Sequence, residues 1–156
     1  MMRSLIDKIL ERALIVIISI MLLAVIWQVI SRYILGSPST LTDEIASFSL
    51  IWLGLFGAAY ATGKQLHLAI DLIPSKIINN SPIFYQSIIA VSVIIFSLFV
   101  MVVGGTRLCW LTYILDQKSA ALEIPLTFIY VAVPISGSLI IFYSIDTLKE
   151  MKNQNE

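Results

Sequence analysis

Apolar residues in this chain run in long unbroken stretches between short polar clusters, with no period-two alternation inside them. Windows free of Asp, Glu, Lys, Arg and His extend from Ala13 to Ser31, from Ile45 to Gly63, from Ile77 to Thr106 and from Ile124 to Ile145. A helix crossing a hydrocarbon layer about 30 Å thick needs about 20 such residues. Four membrane-spanning helices follow. Barrel strands are excluded, because they would read as alternating segments of about ten residues. The third window is too long for one crossing, and Asn79-Asn80-Ser81-Pro82 is a turn signal, so that span starts near Ile83. The predicted fold is an all-α integral membrane protein, one domain over 1–156, with spans at about 13–35, 44–63, 83–106 and 124–145.

Two further stretches have the pattern of short interfacial amphipathic helices. Leu5, Ile6, Ile9, Leu10 and Ala13 form a stripe, with Arg3, Asp7, Lys8, Glu11 and Arg12 on the other faces. Leu66, Ile70, Ile73 and Ile77 repeat likewise opposite Lys64, His67, Asp71 and Ser75, although Pro74 interrupts the helix. The alternative for both is a plain extension of the adjoining span. The first span is longer than the apolar core of a secretory signal and no A-x-A site follows it before Arg32-Tyr33, so it is expected to stay attached. Arg3, Lys8, Arg12, Lys64, Lys76, Lys149 and Lys152 fall on one side of the membrane, against Arg32, Arg107 and Lys118 on the other. Basic residues favour the cytoplasm, which puts both termini inside.

Composition agrees with this picture: 58% of residues are apolar and 13% charged, with a mean hydropathy of +0.93. Ten basic and ten acidic residues balance, so there is no basic footprint for nucleic acid. A single cysteine, Cys109, and a single histidine, His67, cannot supply an internal disulfide, a thiolate metal site or a pair of haem ligands. The span interiors carry no ionisable group, where a self-sufficient transporter would usually keep one. No nucleophile sits beside a base. The chain is expected to be neither an enzyme nor a carrier of cofactor or metal.

What the spans do contain is suited to packing. Gly54, Ala58 and Thr62 fall four apart, as do Gly57 and Ala61, forming a strip where another helix can approach, inside or outside this chain. Pro134 removes a backbone donor and crowds the carbonyl of Tyr130, predicting a kink near Ser136-Gly137-Ser138. Trp27 and Trp110 lie near span ends, as interfacial aromatics do, whereas Trp52 lies deeper and suggests a helix contact. In the loop from Arg32 to Glu44, Thr40 and Asp43 have capping-box spacing, and Asp43 and Glu44 suit a helix N-terminus by about 0.3–1 kcal/mol. Arg32, Asp43 and Glu44 could equally form a polar cluster at the outer face, pairing with one another or with a docking protein. The two readings are compatible.

These residues, taken in order, resemble the small membrane subunit of tripartite ATP-independent periplasmic (TRAP) transporters, the DctQ-like family. Arg32-Tyr33 and Thr42-Asp43-Glu44 resemble its arginine-tyrosine and threonine-acid-glutamate elements; Trp52, Gly57-Ala58 and the run from His67 to Asp71 resemble its second span and following stretch. Gln117, Ser119, Leu122, Ile124-Pro125, Tyr130 and Pro134 resemble its last loop and fourth span, and the likeness covers about 5–145. Leu41 stands where a tryptophan is common, and Ala120 where a proline is. The resemblance implies a multi-pass protein of the bacterial inner membrane that braces a large TRAP membrane subunit. That subunit would carry out sodium-coupled uptake of an organic acid brought by a periplasmic solute-binding protein. It also makes Arg32, Asp43 and Glu44 candidates for the face on which that protein lands. The competing expectation is a stand-alone homo-oligomeric transporter or channel.

Overall fold

The computed structural model describes residues 2–64 and 82–153. Helix α1, Met2–Tyr33, is continuous. The lead-in expected as a separate interfacial helix is therefore an extension of the first span. Its apolar stripe has a different use: Leu10 is buried in the core and Ile6 packs at the edge of the same cluster. The second amphipathic stretch, 66–77, lies outside the described residues. Beyond α1, the Ser31 hydroxyl donates to the Ser37 carbonyl (2.8 Å) and accepts from the Ser39 N–H (3.0 Å), while Gly36 takes a φ of +66° that suits glycine.

Helix α2, Thr40–Gly63, is capped by Ser39, whose hydroxyl accepts from the Thr42 N–H at 3.4 Å. The cap thus precedes the Thr40 expected from the sequence. Ser31 already holds the Ser39 backbone in an extended conformation, and its side chain is left facing the first turn.

Helix α3, Pro82–Phe96, opens on a proline at the position where a missing N–H costs least. It passes into a wide π-helical stretch, Ser97–Gly104, and then α4, Gly105–Ile114. Gly104 and Gly105, adjacent in the middle of this run, keep right-handed helical geometry and do not break it. After the loop that follows α4 come a single turn, α5 (Thr127–Tyr130), and the long α6 (Ala132–Asn153). They are interrupted at Val131, where Pro134 leaves the Tyr130 carbonyl without its helical donor. The break thus falls before the proline, whereas the kink expected near Ser136-Gly137-Ser138 is not seen there, since those residues lie within the continuous α6.

Four helical segments are long and apolar enough to cross a membrane: Arg3–Tyr33, Thr40–Gly63, Ser87–Ile114 and Thr127–Glu150. They pack as a row, with α1 on α2, α2 on α6, and α6 on the third span. The centre is α6, where Ala132, Ser136 and Tyr143 are buried. Leu10, Phe56, Ala59, Ile140 and Tyr143 form the core, and Trp52 meets Phe56 edge to face at 5.2 Å.

Lipid tails are as apolar as leucine, so helices in this solvent associate through closeness of fit. Three glycines set that fit. A Cβ on Gly63 would lie 2.8 Å from the Tyr143 ring, one on Gly105 2.9 Å from Val133, and one on Gly137 2.6 Å from the Met101 Cβ. The π-helical widening places Met101 and Val102 against Gly137.

Polar contacts close one end of the row. Arg3 donates to the Gly63 carbonyl (2.8 Å) at the C-terminus of α2, where a cation is favoured, and pairs with Asp146 (3.0 Å) and Glu150. The Tyr143 hydroxyl donates to Asp7 at 2.6 Å, and Lys64 lies 3.7 Å from the other Asp7 oxygen and above the Tyr60 ring. These contacts tie α1 to both of its neighbours.

Gly137→Ala should lose about 1–3 kcal/mol of stability through overpacking, seen as a lower thermal midpoint of the purified protein in detergent. Gly54→Ala should not lower it.

Candidate functional site

The opposite end of the row holds the three outer-face candidates. Arg32 lies in the last turn of α1 and is exposed, and among the described residues it makes no ion pair with Asp43 or Glu44. Asp43, also exposed, accepts a hydrogen bond from the Gln28 amide at 2.8 Å, joining α1 to α2. Glu44 faces elsewhere. One carboxylate oxygen accepts from the Ala121 N–H and the other from the Leu122 N–H, both at 2.9 Å. The three side chains do not converge on one another; the two acids are divided between α1 and the last loop.

Glu44 is a clamp on the loop 115–126. That loop folds back on itself through Ser119 N–H to the Ile124 carbonyl and Leu126 N–H to the Gln117 carbonyl, each 2.9 Å. Asp116 and Glu123 take left-handed backbone conformations at its bends, with φ of 44° and 54°. Between the bends, two successive N–H groups point at one anion, and a carboxylate, which accepts on both oxygens, satisfies both. The buried Ser119 hydroxyl lies beside the same carboxylate without reaching hydrogen-bond geometry to it. Two links anchor the loop on the other side: Gln117 N–H to the Thr112 carbonyl (3.1 Å), and the Thr112 and Thr127 hydroxyls 3.2 Å apart. Sequence reasoning found Glu44 and missed Ala121 and Leu122. Their contribution is backbone, which no side-chain pattern announces.

The small-residue strip lies open except at Thr62, which is buried. Gly54 and Ala58 are exposed, Gly57 and Ala61 half-buried. A Cβ at Gly54 or Gly57 would meet nothing within 4 Å. The close glycine contacts within the chain are made instead by Gly63, Gly105 and Gly137. Trp27 and Trp110 are exposed, as interfacial aromatics would be, and Trp52 packs on Phe56. Between the third and fourth spans runs an apolar groove lined by Val102, Thr106, Pro134, Ile135, Ser138 and Leu139. The Thr106 and Ser138 hydroxyls donate to carbonyls of their own helices, those of Val102 and Pro134. Among the described residues no group of three or more His, Cys, Asp or Glu side chains is placed to hold a metal ion.

With this geometry in view, comparison with known proteins is direct. A sequence model of the family described as tripartite ATP-independent periplasmic transporters, DctQ component, matches residues 21–152. The chain belongs to the DctQ family. Over 92 residues it is 35% identical to a protein of Haemophilus influenzae (strain ATCC 51907 / DSM 11121 / KW20 / Rd) named as a TRAP transporter small permease protein, covering 57% of this chain and 55% of that one. A second protein of that strain with the same name is 27% identical over 154 residues, covering 96% of this chain and 90% of that one. The sialic acid TRAP transporter permease protein SiaT of H. influenzae (strain 86-028NP) is 32% identical over 73 residues, which are 44% of this chain and 12% of SiaT. The matched stretch is thus about half of the first relative and a small part of SiaT. Family membership and four spanning helices make the DctQ-family chain a multi-pass inner-membrane protein of a transporter family.

Glu44→Gln replaces one accepting oxygen with a donor that faces a backbone N–H. Amide hydrogen exchange at Ala121 and Leu122 should accelerate, and protease should cut 115–126 more readily, while Asp43→Asn leaves both unchanged.

Proposed function

We propose that this DctQ-family protein is the small membrane subunit of a TRAP-type secondary transporter and that its work is to brace a large membrane subunit. The observation that carries this reading is the open strip on α2. Gly54, Gly57, Ala58 and Ala61 offer a surface shaped for close helix approach, and among the described residues no helix occupies it at Gly54 or Gly57. SiaT supports a larger companion, since the stretch matched there is 12% of that permease.

In this reading the large subunit carries the sodium-coupled step and the solute is an organic acid delivered by a periplasmic binding protein. This chain itself needs no cofactor. Arg32 and Asp43, both exposed, are the side chains available to that binding protein, and Glu44 contributes by holding the loop beside them. The bias of basic residues, seven against three, supports a cytoplasmic location for both termini and the Arg3 end.

Tagged protein purified from its native membranes should bring down one larger membrane protein in equal amount, and Gly57→Leu and Ala58→Leu should each abolish this by blocking backbone approach. Liposomes containing this chain alone should not accumulate an organic acid along a sodium gradient; uptake there would establish the stand-alone transporter instead.

For orientation, an impermeant thiol reagent applied to intact spheroplasts of a Cys109→Ala background should label a cysteine placed at Ser37 and spare one placed at Ser4. The reverse pattern would invert the topology.

A further inference from the structure

Residues 105–130, which comprise α4, the loop 115–126 and α5, are held together by their own contacts. The Thr112 and Thr127 hydroxyls meet at 3.2 Å, the Thr112 carbonyl accepts from the Gln117 N–H at 3.1 Å, and Leu126 N–H donates to the Gln117 carbonyl at 2.9 Å. The two helices pack on each other more than either packs on α2 or α6. Both ends of this unit join the rest of the chain at irregular backbone. It is entered from the π-helical stretch through Gly104-Gly105 and left at the interruption at Val131, just before Pro134. The two joints touch: a Cβ on Gly105 would lie 2.9 Å from a Val133 methyl and 3.0 Å from the Pro134 ring. Hydroxyls beside the joints already serve carbonyls there, Thr106 donating to Val102 at 2.6 Å and Ser136 to Val133 at 2.9 Å. At the head of the π-helical stretch Ser97 is buried (1% exposed), and its hydroxyl has no partner among the described residues. A π-helical segment and an orphaned buried hydroxyl are each unfavourable, and such local conflicts gather at the working parts of a molecule.

We infer that residues 105–130 form a flap that turns as one body about the contact between Gly105 and Pro134, and that Glu44 is its latch to α2. A hinge needs its two feet close together, and these two are in contact. Neither foot carries an unbroken ladder of i to i−4 bonds that turning would have to rupture, since one is π-helical and the other is interrupted beside a proline. Away from the feet, among the described residues, the side-chain hydrogen bonds that tie the unit to the rest of the chain are the two that Glu44 accepts from Ala121 and Leu122, at 2.9 Å each. Apolar contacts between helices can be exchanged for lipid with little loss; hydrogen bonds to a carboxylate cannot. The latch therefore sets the resting position. A carboxylate suits that task because it accepts both N–H groups at once and lets both go together. Turning the flap moves the loop 115–126 relative to the exposed Arg32 and Asp43, while α1, α2 and α6 stay joined through Gly63 and the ion pairs at the other end. The inference concerns this chain alone and stands apart from the bracing role.

The test uses the full-length purified protein in a Cys109→Ala background, with spin-labelled cysteines at two exposed positions, Leu50 on α2 and Lys118 on the flap. The distance between the labels should show one dominant population in this parent protein, and Glu44→Gln should raise a second by about tenfold or more. Pro134→Ala, which restores a helical donor at one foot, should suppress that second population in the Glu44→Gln protein. The Ser119 and Leu126 amides bond inside the flap, so they should stay protected from hydrogen exchange in Glu44→Gln while Ala121 and Leu122 lose protection. An unchanged distance distribution in Glu44→Gln would overturn the flap. So would equal acceleration at all four amides, which means a loop unravelling in place, and a second population that persists undiminished with Pro134→Ala removes the pivot. Where a lowered thermal midpoint shows that Glu44→Gln is unfolding, exchange in the unaltered protein decides. Ala121 and Leu122 exchanging about tenfold or more faster than Ser119 and Leu126 supports the latch, and equal rates at the four overturn it.

Discussion

The Tyr143 ring rests on Gly63 more closely than any side chain at that position would permit, and its hydroxyl reaches past α2 to Asp7 on the first helix. One residue of the fourth span thereby locates both of the helices on its flank. The constraint behind this is the solvent. Water would drive apolar faces together over a range of separations, but lipid rewards only contacts tighter than those it can make itself. The row of helices therefore depends on places where backbone meets backbone or ring. Gly63, Gly105 and Gly137 are those places, and each lies against a different partner surface.

The two ends of the row are finished differently from its middle. At one end Arg3, Asp7, Lys64, Asp146 and Glu150 interlock through ion pairs. At the other, Glu44 satisfies two backbone donors of the loop and Gln28 meets Asp43, so loops and helices are joined by hydrogen bonds and not ion pairs, while Arg32 stays exposed. Such an arrangement leaves the second end with more adjustable surface. The bracing role proposed above would use both: a fixed scaffold at one end of the helices and a surface able to meet other proteins at the other.

Burial is uneven along the row. The fourth span is enclosed on two sides, whereas α1 and the third span present most of their apolar residues outward. For a DctQ-family protein this division is functional in character. The closest packing in the chain holds α6, and the strip of α2 at Gly54 and Gly57 is left open.

Much of this was legible without coordinates. Charge-free windows of about 20 residues can only be helices in a bilayer, because no other open structure satisfies the backbone there. That reasoning identified four spans and a start near Ile83 for the third, which opens at Pro82; Pro134 signalled an irregularity, but it falls at Val131 and not near Ser136-Gly137-Ser138. Small residues at spacing four identified a strip but could not say whether it was already filled, since Gly54 and Gly137 look alike in a sequence and differ only in what stands opposite. Likewise a glutamate near a helix N-terminus reads as a capping acid, and only the return of the loop at 115–126 supplies the two N–H groups that Glu44 accepts. The charge-free window stops at Thr106, and the sequence leaves open whether Arg107 through Leu115 extend the third span or Gly104-Gly105 break it. The helix runs on to Ile114, because continuity of a helix is governed by its backbone hydrogen bonds, and one arginine interrupts none of them.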